Sequence, residues 1–316
     1  MKRMIGETGI EVAPVALGGN VFDWTADEAA SFAILDAFVD AGGTMIDTAD
    51  VYSAWVPGHV GGESERLLGR WLKRDPAKRG KVVIATKVGF MAGLKPDTIA
   101  PTCDASLERL GVETIDLYYQ HQDDRAVPLA DSLGAFDALR RDGKIRAIGL
   151  SNFTAERVEE ALGASHDNGF DHPAALQNWY NLVERKKYEG ELQDVALARG
   201  LSVFPYYSLA NGFLTGKYRS QDDLAKSPRG LRSIEYLQGR GQTVLAAVEE
   251  VASESGAAMA TVALAWLKAQ PGITAPIASA TSVEQARELI AALTFELSPG
   301  QIERLTEASG SSSPRT

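Results

Sequence analysis

The chain has 316 residues, 45% hydrophobic and 23% charged, with 32 Lys and Arg against 42 Asp and Glu and a formal net charge of −10. That composition belongs to a globular protein with ample core material, and the length suits an α/β barrel of roughly 250 residues plus insertions. The acidic balance argues against nucleic acid or an anionic membrane as the main partner, and the single cysteine, Cys103, rules out an intramolecular disulfide.

Residues 3 to 12 read as a hairpin turning around Gly6 to Gly9, with Pro14 after it. A strand-then-helix alternation follows. Val15 to Gly18 is the first strand. Thr25 and Glu28 have the spacing of a capping box, and Phe32, Leu35 and Val39 give a helical stripe ending at Gly42-Gly43. Thr44 to Ile46 is the second strand, followed by a helix from about Glu63 to Lys73. Lys81 to Thr86 is the third, with a helix near Asp97 to Leu110 that carries Cys103 as a packed thiol. Ile115 to Gln120 is the fourth, and its helix ends at Gly143, where a C′ glycine is favoured.

Lys144 to Leu150 is the fifth strand, with a helix from Thr154 to Asn168. Ala174 to Leu176 is the sixth, with a helix near Tyr188 to Arg199, and Leu201 to Pro205 is the seventh. An irregular, basic stretch covers Ser208 to Glu235, and one or two helices cover Gln242 to Gln270. Ile273 to Ile277 is the eighth strand, Val283 to Leu293 its helix, and Pro299 to Ala308 a further C-terminal helix. The expectation is a single (β/α)8 TIM barrel over residues 1–308, with an N-terminal β-hairpin, an extra C-terminal helix and a disordered tail at 309–316. A doubly wound sheet is the alternative, but the turn Gly18-Gly19-Asn20-Val21-Phe22-Asp23 lacks its glycine fingerprint. Neither a signal-peptide core at residues 1–7 nor an apolar run of about 18 residues is present, so a soluble cytoplasmic protein is expected.

Three consecutive strands end on an ionisable residue: Asp47, Lys87 and His121. Tyr52 lies in the loop after Asp47. In a barrel these ends share the C-terminal rim, where catalytic residues gather. Tyrosine, with a pKa near 10, gives up a proton poorly unless a cation lowers it. Lys87 supplies that charge, Asp47 holds Lys87, and His121 orients a carbonyl oxygen. Such a set protonates an oxyanion as it forms, the need of carbonyl reduction, and the hydride must come from a nicotinamide.

With Asp47-Thr48-Ala49-Asp50-Val51-Tyr52, Gly62-Glu63-Ser64-Glu65, Ala85-Thr86-Lys87, Tyr118 to Asp124 and Gly143 to Phe153, the chain resembles the aldo-keto reductase family over essentially its whole length. The resemblance implies the catalytic tetrad Asp47, Tyr52, Lys87 and His121. It implies that Ser151, Asn152 and Gln177 hold the nicotinamide carboxamide, and that Tyr206 stacks on the ring. Ser208, Leu209, Asn211, Gly212 and Lys217 resemble the loop that wraps the pyrophosphate, and Ser279, Thr281 and Gln285 the adenosine end. Thr281 stands where many relatives carry a basic residue for the 2′-phosphate, and Leu289 where many carry asparagine. NADP is expected, with NAD open, and Arg287 compensates for the lost charge only in a different register.

The run Arg219, Lys226, Arg229 and Arg232 reads as a flap or equally as a solvated loop. Trp24 and Trp55, with Phe22 and Phe90 nearby, are candidates for the substrate mouth, while His59, His166 and His172 read as surface residues; no metal is expected. Three readings stay open for the family's site: a reductase of aldehydes, ketones or sugars, the same site run as an alcohol or sugar dehydrogenase, and a non-enzymatic cofactor-sensing channel subunit. A Schiff-base aldolase using Lys87 is a fourth.

Overall fold

The computed structural model describes residues 2–310; of the tail expected to be disordered, residues 311–316 lie outside the described residues. A two-stranded antiparallel hairpin, β1 (Arg3–Met4) and β2 (Glu11–Val12), precedes eight parallel strands. These are β3 (Ala16–Gly18), β4 (Met45–Asp47), β5 (Val83–Val88), β6 (Ile115–Gln120), β7 (Ile145–Ser151), β8 (Ala175–Gln177), β9 (Ser202–Val203) and β10 (Ile277–Ala278). They pair in the order β10-β3-β4-β5-β6-β7-β8-β9. A bridge between Val203 and Ile273, with Thr274 N–H donating to the Val203 carbonyl and Ile277 N–H to that of Pro205, joins the two ends. The sheet is therefore a barrel, and the doubly wound alternative falls.

The helices follow in turn: α1 (Glu28–Asp40), α2 (Glu63–Arg74), α3 (Pro96–Leu110), α4 (Leu129–Arg141), α5 (Ala155–Asn168) and α6 (Glu191–Ala198). Between β9 and β10 lie three short 3₁₀ segments and the helices α7 (Arg240–Ser255) and α8 (Met259–Lys268). Then come α9 (Val283–Ala291) and α10 (Pro299–Ser309), the last reaching one residue into the expected tail. No helix of the described residues is long and apolar enough to cross a membrane.

Side-chain parity divides the barrel into storeys. Met45, Val83, Ala85, Leu117, Tyr119, Ala147 and Ala175 form one apolar cluster with Ile5, Ile10 and Val12 of the hairpin. Because alternate residues of a strand face the same way, the inward series runs Met45 to Asp47, Val83-Ala85-Lys87, and Ala175 to Gln177. The lower storeys are apolar and the top one polar. Gly149 has a steric reason: a Cβ there would overlap the Tyr119 ring, which crosses the barrel interior.

Two local expectations change. The α1 N-cap is Asp27, whose carboxylate accepts from Ala30 N–H, and not Thr25, whose hydroxyl is buried without a partner. A carboxylate one residue before the first helical position offers the stronger acceptor. The eighth strand is shorter and later than Ile273–Ile277, because Pro276 has no N–H and interrupts the ladder.

Candidate active site

Asp47 ends β4, Lys87 lies one residue before the end of β5, and His121 follows β6 directly; these three strands are neighbours in the sheet. Lys87 is wholly buried, and each of its three N–H groups has an acceptor. Its Nζ donates to Asp47 Oδ2 at 2.8 Å, to the Thr48 carbonyl at 2.7 Å and to the Tyr52 hydroxyl at 3.0 Å. Tyr52 donates in turn to Asp47 Oδ2 at 3.3 Å, a long and weak bond. Gln177, from across the barrel, donates to Asp47 Oδ1 at 2.9 Å. Asp47 thus meets a cation, a phenol and an amide, and a buried carboxylate needs such partners. The Tyr52 and His121 rings lie 6.1 Å apart in an edge-to-face arrangement.

The electrostatics differ from the expectation in one respect. Burial first, and the Asp47 charge second, hold the Tyr52 phenol well above its usual range, so the net shift is upward where a lowered value was expected. Burial likewise draws the Lys87 ammonium below its ordinary value, with Asp47 opposing. His121 is held well below the ordinary histidine value, by burial first and then by Lys87, so its ring is neutral. Asp50, with Oδ1 buried and unpartnered, is raised to about 7 by burial first and then by the Glu65 charge. Glu65 is fixed by Thr86 and Arg109, each donating at 2.6 Å. Cys103 is buried in α3, and burial pushes its thiol up to about 12, the state of an inert packed residue.

A cleft of about 1220 Å³ opens over this cluster. Asp47, Tyr52 and His121 reach it and Lys87 lies beneath its floor. All twelve residues expected at the cofactor, with Trp24 and Trp55, line it. Several are already engaged by the protein. Asn152, at φ 60, donates to the His121 carbonyl at 2.9 Å and accepts from the Tyr206 hydroxyl at 2.7 Å. Gln285 accepts from Thr281 N–H at 3.0 Å, and Ser279 donates to Asn20 at 2.7 Å.

Of the irregular basic stretch, Lys226, Arg229 and Arg232 line the cleft, as does Lys217, so the run is not merely a solvated loop. Arg287 is exposed and does not line the cleft, so it does not replace the charge missing at Thr281. Phe22 is a core residue and not part of the mouth. His59, expected at the surface, lines the cleft with Nδ1 buried and unpartnered. Sequence reading passed over Trp179, Tyr207, Met91 and Glu288, which also line it. Strand parity was the available signal for Trp179, two residues beyond Gln177. Tyr207 sits in left-handed backbone at φ 53, a conformation that no composition rule foresees for tyrosine.

The family model described as "Aldo/keto reductase family" matches residues 14–309. The chain belongs to the aldo/keto reductase family. It is 34% identical to the "Uncharacterized oxidoreductase YrpG" of Bacillus subtilis, over 93% of this chain and 91% of that one. It is 36% identical to the human "Aflatoxin B1 aldehyde reductase member 4", over 65% of this chain and 60% of that one. It is 29% identical to a "Putative voltage-gated potassium channel subunit beta" of Schizosaccharomyces pombe, over 96% and 92% of the two chains. Membership of the aldo/keto reductases indicates an oxidoreductase that uses a nicotinamide cofactor on a carbonyl or the corresponding alcohol.

Proposed function

We propose that this protein reduces an aldehyde or ketone to the alcohol with NADPH, using Tyr52 as proton donor. The observation that carries the reading is the Tyr52 hydroxyl at the cleft, held 3.0 Å from the fully buried Lys87. A bound nicotinamide supplies hydride to the carbonyl carbon. The proton goes from Tyr52 to the carbonyl oxygen as negative charge develops there. A phenol with a raised pKa stays protonated until that moment, and an alkoxide is basic enough to take its proton. Lys87 then donates to the phenolate left behind, and Asp47 keeps Lys87 in place. The neutral His121 orients the carbonyl oxygen without competing for the proton. The fully occupied Lys87 ammonium speaks against a Schiff base.

The residues present fit a phosphorylated dinucleotide. Asn211 and Gly212 take left-handed backbone at φ 57 and 96, and a Cβ at Gly212 would meet Lys217 Nζ at 2.8 Å. Asn211 Oδ1 is buried without a partner. Lys217 and Arg229 form no ion pair among the described residues. Burial lowers the Arg229 pKa with no carboxylate to offset it, so a ligand anion would relieve it. Roughly 300–1,000 Å³ holds one drug-sized ligand; this cleft of about 1220 Å³ has room for cofactor and substrate together.

The test is titration with NADPH and NADH, read as tryptophan quenching, followed by carbonyl-dependent NADPH oxidation. Failure to bind either cofactor would refute the oxidoreductase reading. Similarity to the protein named as a potassium channel subunit favours a second reading, a cofactor-sensing subunit. Tight binding without turnover of any carbonyl would support it.

A further inference from the structure

Among the described residues eight large hydrophobic side chains stand exposed, and four of them line one end of the cleft: Trp55 at 47%, Val60 at 82%, Phe90 at 48% and Met91 at 79%. Such clustering marks a binding surface. All four come from the loops after β4 and β5. They adjoin the reacting groups: Trp55 lies 6.2 Å from the Tyr52 ring and 5.4 Å from Trp24, and Phe90 lies 5.0 Å from His121.

Charge is segregated across the same cleft. Its cations Lys217, Lys226, Arg229 and Arg232 all come from the segment after β9, and the loops after β3 to β6 contribute none. Uncharged polar groups are also scarce on the apolar wall. Beyond the reacting Tyr52 and His121, the Asn20 amide oxygen accepts from Ser279 at 2.7 Å and the Thr25 hydroxyl is shut off from solvent. That leaves the Asn20 amide N–H, the indole N–H donors of Trp24 and Trp55, and His59. A carboxylate seated there would lose water without gaining a cation, and a sugar would leave most of its hydroxyl protons without an acceptor. A flat apolar ring loses nothing and gains aromatic edges.

We infer that the substrate is an uncharged carbonyl compound with a flat apolar body, of the aryl aldehyde or ketone class, and not a sugar or a carboxylate-bearing aldehyde. The inference rests on the reductase reading. The cation with a plausible rival role is Arg232, which donates to the Tyr207 hydroxyl at 3.2 Å.

The experiment measures kcat/KM with saturating NADPH for naphthaldehyde, benzaldehyde, para-carboxybenzaldehyde and glyceraldehyde. It also measures tryptophan quenching by naphthalenemethanol in the presence of oxidised cofactor. Naphthaldehyde should lead, and para-carboxybenzaldehyde should fall at least about tenfold below benzaldehyde, the scale of a mismatched pocket contact. Met91→Ser and Trp55→Ser should each lower the naphthaldehyde-to-glyceraldehyde ratio by about tenfold, chiefly through KM. Preference for the carboxylate that disappears in Arg232→Ala would overturn the inference, as would preference for glyceraldehyde, while leaving the reductase reading intact. If no aldehyde is turned over, the reductase reading fails. Quenching by naphthalenemethanol that is lost in Trp55→Ser would then still support the apolar site, and its absence would sink that too.

Discussion

Tyr52→Phe deletes the hydroxyl that Lys87 and Asp47 both hold and leaves the ring beside Trp55 and His121. Turnover should fall by about 10²–10⁴-fold, the range for a general acid, with NADPH affinity unchanged in a fluorescence titration. Undiminished turnover would remove Tyr52 from the mechanism. Asp50, a few residues earlier in the same loop, offers a stability test. Its pKa rises from 3.8 to about 7 in the folded protein. Across that window the folded state binds more protons than the unfolded one, so this group's contribution is complete below the unfolded pKa and is lost as pH rises through about 7. Asp50→Asn keeps the uncharged shape and should be stabilised by about 1–3 kcal/mol at pH 8, with little change at pH 4. Thermal melts of both proteins at the two pH values decide it, and an equal shift at both would refute the assignment. That these four residues share one rim was legible residue by residue, because each closes a strand or follows one. The direction of the Tyr52 shift was not, since it follows from how deeply the phenol is buried and how close Asp47 comes.

At the scale of the elements, β6 and β7 show how a strand pair shapes the barrel. Tyr119 pairs with Gly149 in register, and its ring fills the space a side chain on β7 would need. Gly149→Ala should cost about 1–3 kcal/mol through overpacking, read from urea unfolding, with secondary structure retained by circular dichroism. A neutral result would mean that Tyr119 moves aside freely. The α1 cap is a gentler case: Asp27→Ala should cost about 1 kcal/mol and Thr25→Ala much less, against the capping-box spacing in the sequence. Periodicity located seven of the eight barrel strands and most helices, because apolar alternation and glycine stops are local signals. It misjudged the eighth strand, where Pro276 and the partner strand decide which N–H groups can pair.

Over the whole molecule the charge balance hides a local reversal. The chain carries a formal net charge of −10, yet four cations line one side of its cleft. NADPH affinity should therefore weaken with added salt more steeply than NADH affinity, since under the proposed function one more phosphate would be held by exposed and partly exposed cations. Arg229→Ala should raise the NADPH Kd by about tenfold, on the order of 1.4 kcal/mol, and the NADH Kd by less. Equal losses for both would assign Arg229 to the pyrophosphate or to the fold instead.

The sequence by itself determined the class of fold, the family and the identity of the four rim residues, because each is written in local order: strand, ionisable end, helix, glycine stop. Only the tertiary structure decided which cations face the cleft, that Gln177 crosses the barrel to Asp47 and that Tyr207 and Trp179 complete the wall. It also decided that burial, with Asp47 second, raises the Tyr52 pKa instead of lowering it. Those are properties of distance and solvent exclusion between residues far apart in the chain, and no pattern of neighbours encodes them.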